Sequence, residues 1–345
     1  MSYQGVMGRS DEIVLKAVGI DYDKYELEGV AFDYEKLMAD VDYSIEEVCE
    51  ILNDMEVGNT PLLELKNITK LAAKIGGPGK GARIFIKDEA SQPSGSYKAR
   101  RAALAVYEAK RLGYKGVIAA TSGNFGAAVA CMAAKLGLKC IIVQECYDSR
   151  FVGQPEILEK QRACEALGAE VVQLTVGPEL FYEHLRLLEE TGFYNASLYV
   201  PQAVTGVETL GWEIAHQCRE IVGKDPEYVL VTNAGGGNLT GTARGLKKAG
   251  AKSKIYAASV DLSGLHMASD KDFNRKSFTT GHTGFGIPYA TLPDRTDVSR
   301  SAARPMRYIE EYLLVTQGEV FYATEMLASL EGLERGPAGN TSLAA

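Results

Sequence analysis

Residues 87–100, KDEASQPSGSYKAR, close a short apolar run and open a helical one. Upstream, residues 82–86 read as a buried strand; downstream, apolar residues recur at helical spacing from Ala99 to Leu112. Lys98 therefore falls in the first turn of a helix, just past a Pro-Ser-Gly-Ser loop, where Ser94 or Ser96 can cap the helix. The positive end of a helix dipole and its unpaired N–H groups favour anions over an ammonium. A lysine held there is expected to keep its amine free for attack on a carbonyl. A solvated surface lysine is the alternative, and the loops that follow argue against it.

Outward from this point the chain alternates strand and helix. Strands are expected at 82–87, 116–120, 139–144, 169–175, 228–232, 254–260 and 312–316, and helices at 97–112, 124–136, 154–167, 178–191, 207–222, 239–249 and 317–331. Apolar strands without polar alternation imply mostly parallel sheets covered by helices, an α/β chain. Three segments follow: a helical N-terminal extension at 1–57; a larger domain from 58–95 and 201–345; and a smaller one at 96–200 carrying Lys98. In the extension, Ser44 with Glu47 forms a capping-box signal ahead of residues 45–55. Gly-Gly-Pro-Gly-Lys-Gly at 76–81 reads as a surface hairpin rather than a phosphate loop, since no Ser or Thr follows the lysine. Residues 262–305 are long, irregular and rich in Gly, Pro, Ser, Arg and Asp, the pattern of a functional loop.

The net charge of −8 argues against general nucleic-acid binding and against an anionic membrane surface. No 18-residue apolar run and no leader pattern occur, so a cytoplasmic protein is expected. The six cysteines form no C-x-x-C pair, as expected of buried thiols in a reducing compartment. No metal site is expected.

Two loops repeat the design of the first. Thr121-Ser122-Gly123-Asn124 follows a buried strand and opens a helix; small hydroxyls and helix N–H groups there suit a carboxylate, and the Asn124 amide can donate or accept. Gly235-Gly236-Gly237-Asn238-Leu239 follows strand 228–232 and opens another helix. Three glycines let the backbone wrap an anion. Thr240 stands where a dinucleotide fingerprint needs its last glycine, so a phosphate monoester is the better ligand. An imine-forming lysine, a polar Asn loop and a phosphate cradle together point to pyridoxal 5'-phosphate.

The order GNTPL (58–62), KDEASQPSGSYK (87–98), TSGN (121–124), GGGN (235–238) and EGLERGPAG (331–339) resembles the threonine synthase and tryptophan synthase β family, the fold-type II pyridoxal-phosphate enzymes. The resemblance covers residues 58–345. It implies Lys98 as the catalytic lysine that carries the cofactor, Asn124 at the ring oxygen, the 235–239 loop at the phosphate, and Thr121, Ser122 and Gly123 toward the substrate. Within the family, the N-terminal MSYQGVMGRSDEIVLKAVGIDYDKYELEGVAFDYEKLM, the segment CYDSRFVGQPEILEK and the segment SVDLSGLHMASDKDFNRKSFTTGHTGFG are similar to the branch of thiolase β subunits. That similarity implies cleavage of 2-amino-4-oxopentanoate with coenzyme A to acetyl-CoA and alanine, a small α subunit as partner, and an oligomer. His266 and His282 are candidates for assisting the thiol, and Arg100, Arg101, Lys110 and Arg111 for a basic surface toward coenzyme A phosphates; solvated side chains are the plainer alternative for each. The family's partner for the pyridine nitrogen sits on a strand after the PAGN helix, whereas this sequence stops at Ala345. A truncated chain lacking that strand is therefore expected. Two other functions fit the same motifs: a β- or γ-elimination or replacement enzyme such as threonine synthase or an ammonia-lyase, and an inactive truncated homologue.

Overall fold

The computed structural model describes residues 2–28, 32–121, 123–147, 151–153, 155–175, 179–197, 200–261 and 303–345. Along the chain run α1 (Tyr3–Met7), α2 (Ser10–Val18), α3 (Tyr34–Ala39), α4 (Ile45–Asp54), β1 (Leu62–Glu64), α5 (Lys66–Gly76), β2 (Phe85–Lys87), α6 (Lys98–Arg111), β3 (Gly116–Thr121), α7 (Asn124–Leu136) and β4 (Lys139–Tyr147). Then come α8 (Pro155–Ala166), β5 (Glu170–Thr175), α9 (Glu179–Thr191), β6 (Tyr194–Asn195), α10 (Pro201–Val222), β7 (Tyr228–Thr232), α11 (Gly237–Lys248), β8 (Lys254–Val260), β9 (Glu311–Val315), α12 (Gln317–Glu331) and α13 (Pro337–Ala344). Among the described residues no helix is long and apolar enough to cross a membrane.

The chain divides into two compact units. The first holds residues 2–58, Gln92–Thr209 and 303–304; the second holds Asn59–Ser91, 210–261 and Pro305–Ala345. The helical N-terminal extension packs into the first unit, where Val6, Ile13, Val14, Val48 and Leu52 bury in the same core as residues of α6 and β3. The division falls within α10, after Thr209 rather than before Pro201.

In the first unit a parallel sheet runs β5-β4-β3-β6, with Gly116 opposite Lys139 and Thr121 opposite Gln144. Val117, Ile118 and Ala119 on β3 and Ile142 and Val143 on β4 are fully buried, as expected of a strand covered on both faces. Alanines dominate the packed faces of α6 and α7, among them Ala99, Ala102, Ala103, Ala128 and Ala133, so the two helices can lie close. Gly206 on α10 goes further: a Cβ there would collide with the Arg100 carbonyl on α6. Only glycine permits that approach.

In the second unit β7-β8-β9 form a parallel sheet, with Tyr228 opposite Lys254 and Tyr256 opposite Glu311. β2, expected in a parallel sheet, instead pairs antiparallel with β1, Leu62 opposite Lys87. The intervening α5 and turn reverse the chain, and Leu65 and Ile68 bury against Leu327 beside this ribbon. The 76–81 glycines link α5 to β2 rather than closing a hairpin. α5 itself gives little signal in the sequence, since Leu65 at its N-cap makes no side-chain hydrogen bond. α10 starts at Pro201, six residues before the expected start, with proline at the first helical position, where its missing N–H costs nothing. α13 likewise begins with proline, at Pro337.

Candidate active site

Two helices of the first unit, α6 and α7, open on expected residues, Lys98 and Asn124. The two flank β3 in sequence. Lys98 is the first residue of α6 and is half-buried. Its Nζ lies 5.1 Å from the centre of the Tyr97 ring and makes no ion pair among the described residues. Neither expected serine caps the helix: Tyr97 is the N-cap, in helical conformation and without a side-chain cap. The Ser94 and Ser96 hydroxyls are instead buried without hydrogen-bond partners among the described residues. Burial would raise the Tyr97 phenol, but the charges of Lys98 and Arg101 and a hydrogen bond from Arg101 outweigh it and hold the phenol below its ordinary value. Arg100 and Arg101 are buried, with Arg100 Nη1 donating to Thr209 Oγ1 at 2.9 Å. They form no surface for coenzyme A phosphates, and Arg111 is engaged with Glu108 at 2.7 Å.

At the start of α7, the Thr121 hydroxyl accepts the N–H groups of Gly123 at 3.0 Å and Gly126 at 3.2 Å. It is spent on the turn, a role the sequence does not separate from ligand binding. Asn124 opens the helix with an exposed side chain that makes no hydrogen bond among the described residues. Ser122, His266 and His282 lie outside the described residues.

In the second unit the glycine loop hangs from a fixed root. The Asn233 N–H donates to the Ala258 carbonyl at 2.8 Å, its amide donates to the Tyr312 hydroxyl at 3.1 Å, and Ser259 donates to its carbonyl. Gly236 then takes a left-handed conformation, φ 85°, as the N-cap of α11, with no side-chain cap. The first N–H groups of a helix have no partner within it. Gly237, Asn238 and Leu239 therefore present unpaired donors at the positive end of α11, suited to a phosphate.

The motifs at 87–89 and 331–335 are structural ties of this unit. Lys87 is paired with Glu213 at 2.7 Å and donates to the Thr60 carbonyl at 2.6 Å. Glu89 accepts from Thr60. Asp88 is gripped by Arg335 through two bonds of 2.7 and 2.6 Å, which holds its carboxyl below the usual range against the opposing effect of burial. Glu331 accepts the Asn67 and Ile68 N–H groups at 2.7 and 2.8 Å, capping α5 from far along the chain. Thr232 at the end of β7 donates to the Gly339 carbonyl and accepts from the Ser342 N–H, both at 3.2 Å, which docks α13 beside the root of the glycine loop.

These residues fit pyridoxal phosphate. In the first unit, the lysine amine without an ion pair among the described residues suits an aldehyde; in the second, taken by itself, α11 offers an end without a side-chain cap for a phosphate. Among the described residues no cluster of His, Cys, Asp or Glu could hold a metal.

A profile of the family described as "Pyridoxal-phosphate dependent enzyme" matches residues 54–345. The chain is 70% identical, over its whole length and 74% of the relative's, to the 2-amino-4-ketopentanoate thiolase beta subunit of Acetoanaerobium sticklandii. It is 26% identical to a threonine synthase of a Bacillus species, over 83% of this chain and 76% of the relative. Among solved structures, the threonine deaminase of T.th. superposes with a TM-score of 0.68 at 25% identity, covering 88% of this chain and 92% of that one.

Proposed function

The chain belongs to the pyridoxal-phosphate-dependent enzyme family, and from that premise we propose that it is the β subunit of a thiolase that cleaves 2-amino-4-oxopentanoate with coenzyme A, giving acetyl-CoA and alanine. The observation that carries the reading is 70% identity along all 345 residues to a relative of that name. Residues 1–53, which the family profile does not match, are included in that likeness.

When bound, the cofactor supplies an electron sink that makes a proton beside an amine removable. Lys98 would hold it through its amine and, when released, would act as the base that takes the Cα proton and returns it. The N–H groups of Gly235, Gly236, Gly237, Asn238 and Leu239 bind the phosphate, and the Asn124 amide orients the ring. The turn of Thr121, Ser122 and Gly123 faces the substrate carboxylate, with the Thr121 hydroxyl bracing the turn through the Gly123 and Gly126 N–H groups. In the cleavage the coenzyme A sulfur bonds to the C4 carbonyl carbon and the C3–C4 bond breaks. The electron pair goes to C3, which takes up a proton to become the methyl group of alanine. Ser122 contributes to the carboxylate site, and His266 and His282 stand as bases for the thiol. A small α subunit completes the enzyme, in the cytoplasm.

The test is an assay of the chain with its α subunit. Acetyl-CoA should form only with substrate, coenzyme A and both subunits present. Without coenzyme A, the Cα proton of alanine should still exchange with solvent deuterium, and Lys98→Ala should abolish that exchange. Ammonia release from serine or threonine with no acetyl-CoA would overturn the reading in favour of an elimination enzyme.

A further inference from the structure

A cavity of about 500 Å³ opens in the first unit between the N-terminal segment and two helices. Its wall comes mainly from residues between Val18 and Tyr43, with Glu108 and Arg111 of α6 and Pro201 and Gln202 of α10. Most of it therefore precedes the span matched by the family profile, which starts at residue 54, and none of the residues assigned above to the cofactor lines it.

The charged groups around it are paired, save one. Glu108 receives both arms of Arg111 at 2.7 Å and the Tyr43 hydroxyl at 2.8 Å. Asp40 receives Lys36 at 2.6 Å and the Tyr25 hydroxyl at 3.0 Å. Asp21 lies 3.6 Å from Lys24. The Asp42 carboxylate, carried on a left-handed backbone at φ 54°, has no partner among the described residues. Gln202 also lines the cavity. It is 6% exposed, and its side-chain oxygen is buried with no hydrogen-bond partner among the described residues. A buried acceptor left unsatisfied costs about 1–3 kcal/mol, so a donor supplied from the cavity would relieve it.

We propose that this cavity binds a small organic cation of the primary-ammonium class, held by Asp42 and Gln202. An ammonium brings three donors and no acceptor, which matches an unpaired carboxylate and an unpaired amide oxygen. The volume falls within the ~300–1,000 Å³ of small-molecule sites and far exceeds a bare metal ion, for which the described residues offer no ligand cluster. The unpaired carboxylate disfavours anions, the phosphates of coenzyme A included.

The probe is 1,4-diaminobutane, titrated calorimetrically into the full chain after its pyridoxal phosphate has been fixed by borohydride reduction and free cofactor removed, so that no aldehyde is left to react with the amine; succinate is the anionic control of equal length. Saturable binding of the diamine and none of succinate is expected. Asp42→Asn should weaken it at least tenfold. Gln202→Leu should weaken it comparably while leaving the urea midpoint unchanged or higher, because it removes the orphaned acceptor. No saturable diamine binding, equal binding of succinate, or unchanged affinity in both variants would overturn the proposal. None of these outcomes bears on the thiolase reading, which is tested by acetyl-CoA formation.

Discussion

Replacing Arg335 with methionine tests the reading of the 331–335 motif as a structural tie. Asp88 is 6% exposed and Arg335 33% exposed, joined by two bonds of 2.7 and 2.6 Å. Removing one partner of a fully buried pair costs about 3–5 kcal/mol, because the other charge is left uncompensated. The partly exposed guanidinium lets water share the screening, so about 2–3 kcal/mol is the expected loss here. Urea unfolding followed by the fluorescence of Trp212, the sole tryptophan, reads it directly. Asp88→Asn combined with Arg335→Met should cost less than the two singles summed, since the double variant strands no charge. The pH dependence has a fixed sign. The Asp88 carboxyl is depressed in the folded state, so its contribution is present above about pH 4, the unfolded value, and is lost as pH falls through the folded value. The gap between parent and Arg335→Met should therefore close on acidification. A loss below about 1 kcal/mol, or strict additivity in the double variant, would refute the reasoning.

Lys98→Ala should abolish turnover, and borohydride reduction of the parent with pyridoxal phosphate followed by peptide mapping should label Lys98 alone. If the 235–239 loop holds the phosphate as proposed, Gly236→Val should weaken pyridoxal phosphate binding by tenfold or more, because a branched side chain resists the left-handed conformation there; titration by absorbance measures it. Glu331→Ala should uncap α5 and lower stability by about 1–2 kcal/mol in urea, the usual worth of a helix cap.

Much of this was legible in the sequence because local signals and tertiary packing agree. The strands at 228–232 and 254–260 and the helices at 124–136 and 317–331 stand where apolar patterning places them. The placement of Lys98 at a strand-to-helix junction also follows from local pattern alone. What the sequence does not carry are partners brought from far along the chain. α5 has no cap of its own because Glu331 provides one, and β2 pairs with β1 rather than joining a parallel sheet. The serines before Lys98 satisfy every rule for a cap, yet their hydroxyls stay unbonded. Thr121 shows the reverse, a hydroxyl with binding chemistry consumed by its own turn. Spacing cannot tell a side chain engaged by the backbone from one left for a ligand.

The glycine at 206 carries a consequence for how this protein can change over time. It touches no ligand and has no functional group, yet it leaves no clearance between α10 and the Arg100 carbonyl, two residues from the lysine. Any side chain there must push the first turn of α6 outward, and a shift of about 1 Å at a reacting group can cost ~100-fold in rate. Drift at this position is closed off by space rather than by chemistry, so its sequence record should look like that of an active-site residue.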